Sequence, residues 1–433
     1  MPFAPPTTLR AVGNGEPGAR ATMPQESPMP VLRLGTPTDE GVARGAKPRE
    51  SLRWRVGLHF RSSGRSRQRP PSGRMVIDVF QPPRFKPAPL DIARLDSLTG
   101  RRHQYASSGK AALFHLLRSL RIRGKALVPA YLCRGVLAPF HRLGLELVYY
   151  DVDVEDLNAS LGSIEALSDV PGVEAVLVAS LYGNPANLAE IERFCGERSL
   201  HLIDDAAQSF GARLDDRYVG SFGSGGFFSF SPGKATAGHM GALFWSEQQF
   251  EVQRRSHWTV HRLKWLDFYY NRLHVYDHPE WGAVKRALGR LCRLAERRCD
   301  LYFDEVCEFE KPILGGILAG ALDGAFGFRR TVFDAFVSEF ESSGAFRVVK
   351  ALRGEAVPHK LVVVFDRPHK ARRMIADLRE GGVYASNGYQ LLTQDLGLLP
   401  NARKIAGCVV EMSLEDDCRK MDYLFDRVKR FAG

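Results

Sequence analysis

Apolar runs alternate with amphipathic segments between residues 100 and 246. Short continuous apolar runs are typical of buried strands, whereas leucines spaced i, i+3, i+4 and i+7 are typical of one helix face. Leucines at 113, 116, 117 and 120 predict a helix after Ala106–Ser108, and Pro185 is expected to open a second helix. We expect six strands in this part of the chain, at 126–131, 145–150, 174–180, 200–204, 225–231 and 241–245.

This alternation predicts an α/β fold with a mostly parallel sheet that helices cover on both faces. Ligands of such sheets bind beyond the carboxyl ends of the strands, where Ser108, Gly183 and Asp205 fall. From about residue 312 the pattern changes and predicts a smaller α+β domain. Its expected elements are a strand at 360–365 and helices around 329–342, 370–380 and 416–431.

Composition divides the chain into four parts. Residues 1–74 hold 11 of the 25 prolines and 13 Lys/Arg against 5 Asp/Glu, which predicts a disordered basic tail. This tail is either a dispensable extension or a basic arm for an anionic partner. The predicted large domain spans 75–248, an insert rich in arginine and aromatic residues spans 249–311, and the small domain spans 312–433.

The formal net charge of +11 comes mostly from the tail, so the body is close to neutral and nucleic-acid binding is not expected of it. Within the insert, Ala283–Asp300 predicts a basic amphipathic helix with two open interpretations. It contacts a membrane surface or an anionic substrate, or it packs its apolar side and leaves its charges in water. The seven cysteines lack zinc-site spacing, and no apolar run reaches the roughly 20 residues that span a bilayer. We therefore expect a reduced, cytoplasmic protein without a metal site.

Two residues near the centre of the chain suggest a chemical site. Lys234 lies in the segment SFSPGKATAG, and a lysine in a confined site can lose its proton and form a Schiff base. Asp205 ends a buried strand, where a carboxylate can keep the ring nitrogen of pyridoxal phosphate protonated. Asp204 competes for that role, and Asp205 alternatively caps the following turn.

A phosphate group needs backbone N–H groups at a helix N-terminus together with hydroxyl groups. The segment from Ser107 through Ser108 and Gly109 to Lys110 precedes the leucine-rich helix and offers such a cradle. Ser229 provides a second hydroxyl, five residues before Lys234. The alternative for Ser108 is that it serves only as an N-cap.

Several blocks together resemble the DegT/StrS-type sugar-nucleotide aminotransferases, which are fold-type-I pyridoxal-phosphate enzymes. The blocks are SGKAAL (108–113), VPAY (128–131), LYGNPANLAEI (181–191), DDAAQSFGA (204–212) and SFSPGK (229–234). The match covers about 100–246 and, more faintly, 312–433.

The resemblance implies a role for each matching residue. Lys234 is the Schiff-base lysine and proton shuttle, and Asp205 pairs with the pyridine nitrogen. Gln208 lies against the ring face. Ser229 and the backbone of Gly109 and Lys110 hold the phosphate.

This chain also departs from the family pattern. Lys110 stands where the family usually has threonine, and Cys133 stands where it has the aromatic residue that stacks on the ring. The Asn-Arg segment that reaches a neighbouring subunit's cofactor is not recognisable, and the insert occupies its place.

The resemblance implies an aminotransferase that moves an amino group, with glutamate as donor, to a keto-sugar nucleotide in polysaccharide or glycan precursor biosynthesis. It also implies a homodimer. Two alternatives stay open, namely a related pyridoxal-phosphate sugar enzyme such as a dehydratase, and a non-catalytic relative that binds a sugar nucleotide or a partner. Some dehydratase relatives replace the lysine with histidine, so Lys234 favours amino transfer.

Overall fold

The computed structural model describes Ile77 and the ranges 86–231, 233–236, 241–248, 311–322, 324 and 326–433. It also describes four positions of the predicted basic helix, all helical and exposed: Ala287, Arg290, Leu291 and Leu294. The rest of that helix and the predicted tail at 1–74 lie outside the described residues. The chain divides into two units, Met1–Arg67 and Gln68–Gly433, and every element below belongs to the second.

A seven-stranded sheet forms the centre of the large domain. Its strands are β1 (Gln104–Ala106), β2 (Lys125–Pro129), β3 (Glu146–Tyr150), β4 (Val173–Ala179), β5 (His201–Asp205), β8 (Gly225–Ser229) and β9 (Ala242–Ser246). Their order in the sheet is β1-β9-β8-β5-β4-β2-β3. Strands β8, β5, β4, β2 and β3 run parallel, and β9 pairs antiparallel with both β8 and β1. The predicted mostly parallel sheet is therefore confirmed. Strands β6 (Arg213–Leu214) and β7 (Arg217–Tyr218) form a separate hairpin.

Helices cover both faces of this sheet because alternate strand residues bury apolar side chains on opposite sides. Leu202 packs on one side and Ile203 on the other. Helices α2 (Gly109–Ser119) and α3 (Leu137–Leu143) pack on the Ile203 side. Four helices pack on the Leu202 side: α1 (Ile92–Thr99), α4 (Leu161–Ser168), α5 (Leu188–Glu197) and α6 (Lys311–Leu322).

The C-terminal part has a four-stranded antiparallel sheet in the order β10-β11-β13-β12. One face of it packs against helices α7, α8 and α10, while Val362 and Val409 on the other face join the apolar cluster of Ile203. That second face is directed at the α2 side of the large sheet. The elements are α7 (Gly327–Phe340), β10 (Phe346–Val348), β11 (Lys360–Phe365), α8 (Pro368–Glu380), β12 (Ala385–Asn387), α9 (Pro400–Ile405), β13 (Val409–Ser413) and α10 (Cys418–Lys429).

One predicted boundary is wrong. The helix expected to open at Pro185 begins at Leu188 instead. The Asn158 amide donates to the carbonyls of Asn184 and Pro185, and Ala186 N donates to Ser180 Oγ, so these groups hold 184–186 outside the helix. Within the described ranges, no helix is long and apolar enough to cross a bilayer.

Candidate active site

Residues from several strands meet at the carboxyl edge of the large sheet. Asp205 is the last residue of β5, and Gly183 lies in the 3-10 turn Leu181–Gly183 after β4. Ser108 follows β1, and Tyr131 lies shortly after β2. Because the carboxyl ends of parallel strands meet at one edge, residues distant in sequence share this place.

The adjacent carboxyl groups of β5 have different surroundings. Asp204 Oδ2 accepts hydrogen bonds from Gly220 N at 2.6 Å and Phe222 N at 3.2 Å, so this group holds the loop before β8. Burial nevertheless raises the pKa of Asp204 to about 8. Asp205 points to the opposite face, where its Oδ1 accepts from Ala207 N at 2.9 Å. Asp204 therefore binds the loop before β8, whereas Asp205 is directed at the candidate site.

Asp205 and Lys234 interact electrostatically. Burial raises the pKa of Asp205 to about 6, and the charge of Lys234 opposes that shift. Burial also lowers the pKa of Lys234, while Asp205 acts in the other direction. No described side chain forms an ion pair or hydrogen bond with the half-buried Lys234 amine. The two charges therefore influence each other without a direct hydrogen bond or ion pair.

A cradle for an anion lies at the N-terminus of α2. A Cβ atom placed on Gly109, the first residue of α2, would lie 3.1 Å from Ser229 Cβ and 3.2 Å from Ser229 Oγ. Glycine thus lets the helix start approach β8 closely. The Ser229 hydroxyl is also 3.1 Å from Ser231 Oγ. The N-terminus of α2 and these hydroxyl groups therefore lie close together.

Ser108 is the N-cap of α2. Its Oγ accepts a hydrogen bond from Ala111 N at 3.2 Å, which satisfies one of the free N–H groups of the first turn. The hydrogen bond of Ser108 in the structure is therefore that of an N-cap, the alternative role given for it above. Lys110 occupies the first turn of the same helix, and its side chain runs past Gly135 toward the exposed Cys133.

Gln208 is held at both ends of its amide. Tyr182 N donates to Gln208 Oε1 at 3.1 Å, and Gln208 Nε2 donates to the Tyr389 hydroxyl at 2.8 Å. Tyr389 comes from the loop after β12, and its ring stacks on Tyr182 with centroids 6.2 Å apart. The small sheet therefore supplies an aromatic group to the site beside Gln208.

Tyr182 has an unusual backbone conformation, with φ 58°. A bulky residue in the left-handed region is strained and persists where surrounding contacts hold it. Here the Tyr182 hydroxyl bonds that of Tyr131 at 2.7 Å and donates to Glu411 Oε1 at 2.9 Å. The next residue, Gly183, also has positive φ, and a Cβ there would lie 1.8 Å from Val357 O.

Glu411 connects this tyrosine group to further polar residues of the small sheet. Its Oε2 accepts from the Lys360 ammonium and, at 3.3 Å, from Ser386 Oγ. Lys360 and Glu411 are both buried.

The sequence interpretation missed these residues of the site: Tyr131, Tyr182, Lys360, Tyr389 and Glu411. Two of them carry a detectable signal, because Lys360 and Glu411 are charged residues within or beside apolar runs. A buried charge at such a position needs a partner. The tyrosines carry no such signal, since aromatic residues are ordinary members of buried segments.

The profile of the DegT/DnrJ/EryC1/StrS aminotransferase family matches residues 93–261, which confirms the resemblance. The chain is 32% identical over 168 residues to UDP-N-acetyl-3-dehydro-alpha-D-glucosamine 3-aminotransferase of Acidithiobacillus ferrooxidans, covering 38% of this chain and 45% of that protein. It is 34% identical over 121 residues to GDP-4-keto-6-deoxy-D-mannose 3-dehydratase of Escherichia coli O55:H7, covering 28% and 31%. The chain thus spans less than half of the length of these curated relatives.

Solved structures extend the likeness to most of the fold. The Streptomyces venezuelae enzyme DesV, in complex with a ketimine intermediate, superposes with a TM-score of 0.61 at 20% identity, covering 81% of this chain and 91% of that one. The E. coli GDP-4-keto-6-deoxy-D-mannose-3-dehydratase with bound hydrated PLP gives a TM-score of 0.57 at 18% identity, covering 77% and 90%. The large and small sheets described above therefore form the fold of these enzymes.

Proposed function

The chain carries a DegT/DnrJ/EryC1/StrS aminotransferase family domain at 93–261, and on that premise we propose that it is a pyridoxal-phosphate-dependent aminotransferase. Its substrate in this proposal is a keto-sugar nucleotide, and its amino donor is glutamate. The reaction belongs to polysaccharide or glycan precursor biosynthesis. A relative named as a sugar-nucleotide transaminase, the dTDP-3-amino-3,4,6-trideoxy-alpha-D-glucose transaminase of Micromonospora megalomicea subsp. nigra, supports this substrate class.

The residues of the site fit pyridoxal phosphate. Gly109 lets the N-terminus of α2 approach Ser229 closely, which brings helix N–H groups and two hydroxyl groups together as phosphate binding requires. Asp205 and Lys234 interact electrostatically without an ion pair between them, which suits an acid and an amine that contact opposite ends of a ring. When bound, the cofactor supplies an electron sink for the carbon that exchanges its proton.

Each residue then has a defined task. Lys234 Nζ would hold the cofactor at its carbonyl carbon, with release of water, and once displaced by the amino donor it would take and return the proton of the reacting carbon. Its lowered pKa favours the neutral amine that this chemistry needs. The ionised carboxylate of Asp205 holds a proton on the ring nitrogen. Gln208, fixed by Tyr182 and Tyr389, packs against the ring face.

The phosphate is bound by the N–H groups of Gly109 and Lys110 and by the Ser229 hydroxyl. Ser108 supports this site as the N-cap that fixes the first turn of α2. Tyr389 provides an aromatic surface where Cys133 does not.

The observation that carries the proposal is the close approach of Gly109 to Ser229 at the same sheet edge as Asp205, whose carboxyl group interacts electrostatically with Lys234. Lys234 also favours amino transfer over dehydration, the reaction in the name of the E. coli relative. We further propose that the enzyme works as a cytoplasmic homodimer. The predicted membrane contact of the insert lies outside the described residues.

The experiment begins with purified protein loaded with pyridoxal phosphate. We expect a visible absorption band that glutamate converts, with release of 2-oxoglutarate. Lys234→Ala should abolish both the band and the conversion. Lys125→Ala is the control, because Lys125 lies at the amino end of β2, on the opposite edge of the same sheet. Colourless protein that cannot be loaded would refute the proposal, and water release from the sugar without amino transfer would favour the dehydratase.

A further inference from the structure

The buried ion pair of Lys360 and Glu411 has no task in the roles assigned above. Lys360 shares a strand face with Val362, and Glu411 shares one with Val409, so both side chains lie on the face directed at the large sheet. Their side chains are 10% and 4% exposed. Desolvation offsets most of the attraction within a buried ion pair, so stability alone does not explain this one.

Two polar atoms beside the pair lack partners. Ser413 lies directly opposite Lys360 in the strand register, so the two side chains are on the same face. The buried Oγ of Ser413 and Nδ1 of the adjacent His359 have no hydrogen-bond partner among the described residues. Buried polar atoms are nearly always satisfied, so these two indicate that a ligand group completes the site.

This polar cluster acts on the reactive lysine. The positive charge of Lys360 lowers the pKa of Lys234, and the negative charge of Glu411 raises it. Burial and the charges of Lys360, Lys234 and Arg329 hold the pKa of His359 well below its usual value, so its imidazole is neutral. Lys360 is therefore a cation within electrostatic reach of Lys234.

An amino-acid donor must place its amino group at Lys234, and it carries a carboxylate one carbon away. In a desolvated site that carboxylate requires a cation and hydrogen-bond donors. Lys360 Nζ offers three donors and Ser413 Oγ offers one. When Lys360 turns to a second carboxylate, Glu411 keeps the hydroxyls of Tyr182 and Ser386 as donors.

We propose that Lys360 and Ser413 bind the carboxylate of the amino-acid donor, and that Glu411 holds Lys360 in position until the donor enters. This inference rests on the proposed function, because it assumes that Lys234 carries the cofactor. A carboxylate on the sugar substrate would present the same chemistry, so the test separates the two sources.

The test measures the affinity of cofactor-loaded protein for glutarate, a donor-like dicarboxylate without an amino group, by titration calorimetry. Lys360→Met should weaken glutarate binding at least about tenfold, because it removes a charge-assisted contact. Glu411→Gln should tighten it several-fold, because it removes the competing negative charge. Lys370→Met is the control, since Lys370 forms a surface ion pair with Asp366 and should leave the affinity unchanged.

A purely structural pair would give another pattern, in which both single variants lose stability and neither changes affinity selectively. If a single variant unfolds, the double variant Lys360→Met with Glu411→Met replaces it in the test, because it leaves no unpaired buried charge. It should also bind glutarate weakly. Unchanged glutarate affinity in variants that retain the visible band overturns this inference alone. The same titration with glucuronate, a sugar that carries a carboxylate, tests the other source. If Lys360→Met weakens only glucuronate binding, the assignment to the donor is overturned. Absence of the band from the unsubstituted protein overturns the proposed function together with this inference.

Discussion

The hydroxyl of Tyr182 donates a 2.9 Å hydrogen bond to Oε1 of Glu411, across 229 positions of the chain. Tyr182 follows β4 of the large sheet, and Glu411 lies in β13 of the small sheet. The backbone N–H of the same tyrosine holds Gln208. One strained residue thus connects the small sheet to the position expected against the cofactor ring.

We expect Tyr182→Phe to lower the free energy of unfolding by about 1–3 kcal/mol, because it removes a buried hydrogen bond to a charged group. Urea unfolding measures this change. Tyr149→Phe is the control, because Tyr149 is half-buried on the edge strand β3, and it should change stability by less than about 0.5 kcal/mol. Equal effects of the two variants would contradict the importance of the Tyr182 contact.

Gly109→Ala should weaken binding of pyridoxal phosphate. The added Cβ would lie 3.1 Å from Ser229 Cβ, so helix α2 or β8 must shift at the expected phosphate site. Gly162→Ala is the matched control near the start of α4, where an added Cβ meets no atom within 4 Å. It should stabilise the protein by up to about 1 kcal/mol without changing cofactor affinity. Cofactor titration followed by the visible band compares the two, and equal affinities would argue against the cradle.

The two serines of the cradle should respond differently to alanine. Ser108→Ala removes the N-cap bond to Ala111 and should cost about 1 kcal/mol of stability even without cofactor. Ser229→Ala leaves the cap intact and should chiefly weaken cofactor affinity. Thermal unfolding of the protein free of cofactor and cofactor titration separate these effects. A Ser229→Ala protein with normal affinity would remove that hydroxyl from the proposed site.

The strands that position Asp205 could be predicted because parallel strands buried on both faces are continuous apolar runs. The strand expected at 200–204 is His201–Asp205, and the one expected at 360–365 is Lys360–Phe365. Strands β1, β10 and β12 have three residues each and are too short for a periodic pattern to develop. Their places depend on pairing with distant segments, which a local pattern does not contain.

The site divides in the same way. The predicted roles of Lys234, Asp205 and Gln208 rest on compact sequence blocks of the large domain. Tyr389 and Glu411 reach the site only through the packing of the small sheet on the large one. The family resemblance already favours Asp205 over Asp204 as the cofactor's carboxylate. Tertiary structure adds a use for Asp204, which accepts hydrogen bonds from Gly220 and Phe222 in the loop before β8.

Asp204 should make the stability of cofactor-free protein depend on pH. Burial raises its pKa to about 8 in the folded state, against about 3.9 in an unfolded chain. Between these values the folded protein binds a proton that the unfolded chain releases. The stabilisation from this group is therefore complete below about pH 4 and is lost as the pH rises through 8.

Asp204→Asn removes this titration. The free energy of unfolding of the variant, relative to that of the unsubstituted protein, should therefore increase as the pH rises. The relative change is up to about 4 kcal/mol between pH 5 and pH 8, at about 1.4 kcal/mol for each pH unit. Asp205→Asn is the control, because the pKa of Asp205 is raised only to about 6 and its relative change should end near that pH. Urea unfolding at half-unit pH intervals measures both curves. Parallel curves for Asp204→Asn and the unsubstituted protein would show that Asp204 is ionised in the folded state, held as a carboxylate by the N–H groups of Gly220 and Phe222.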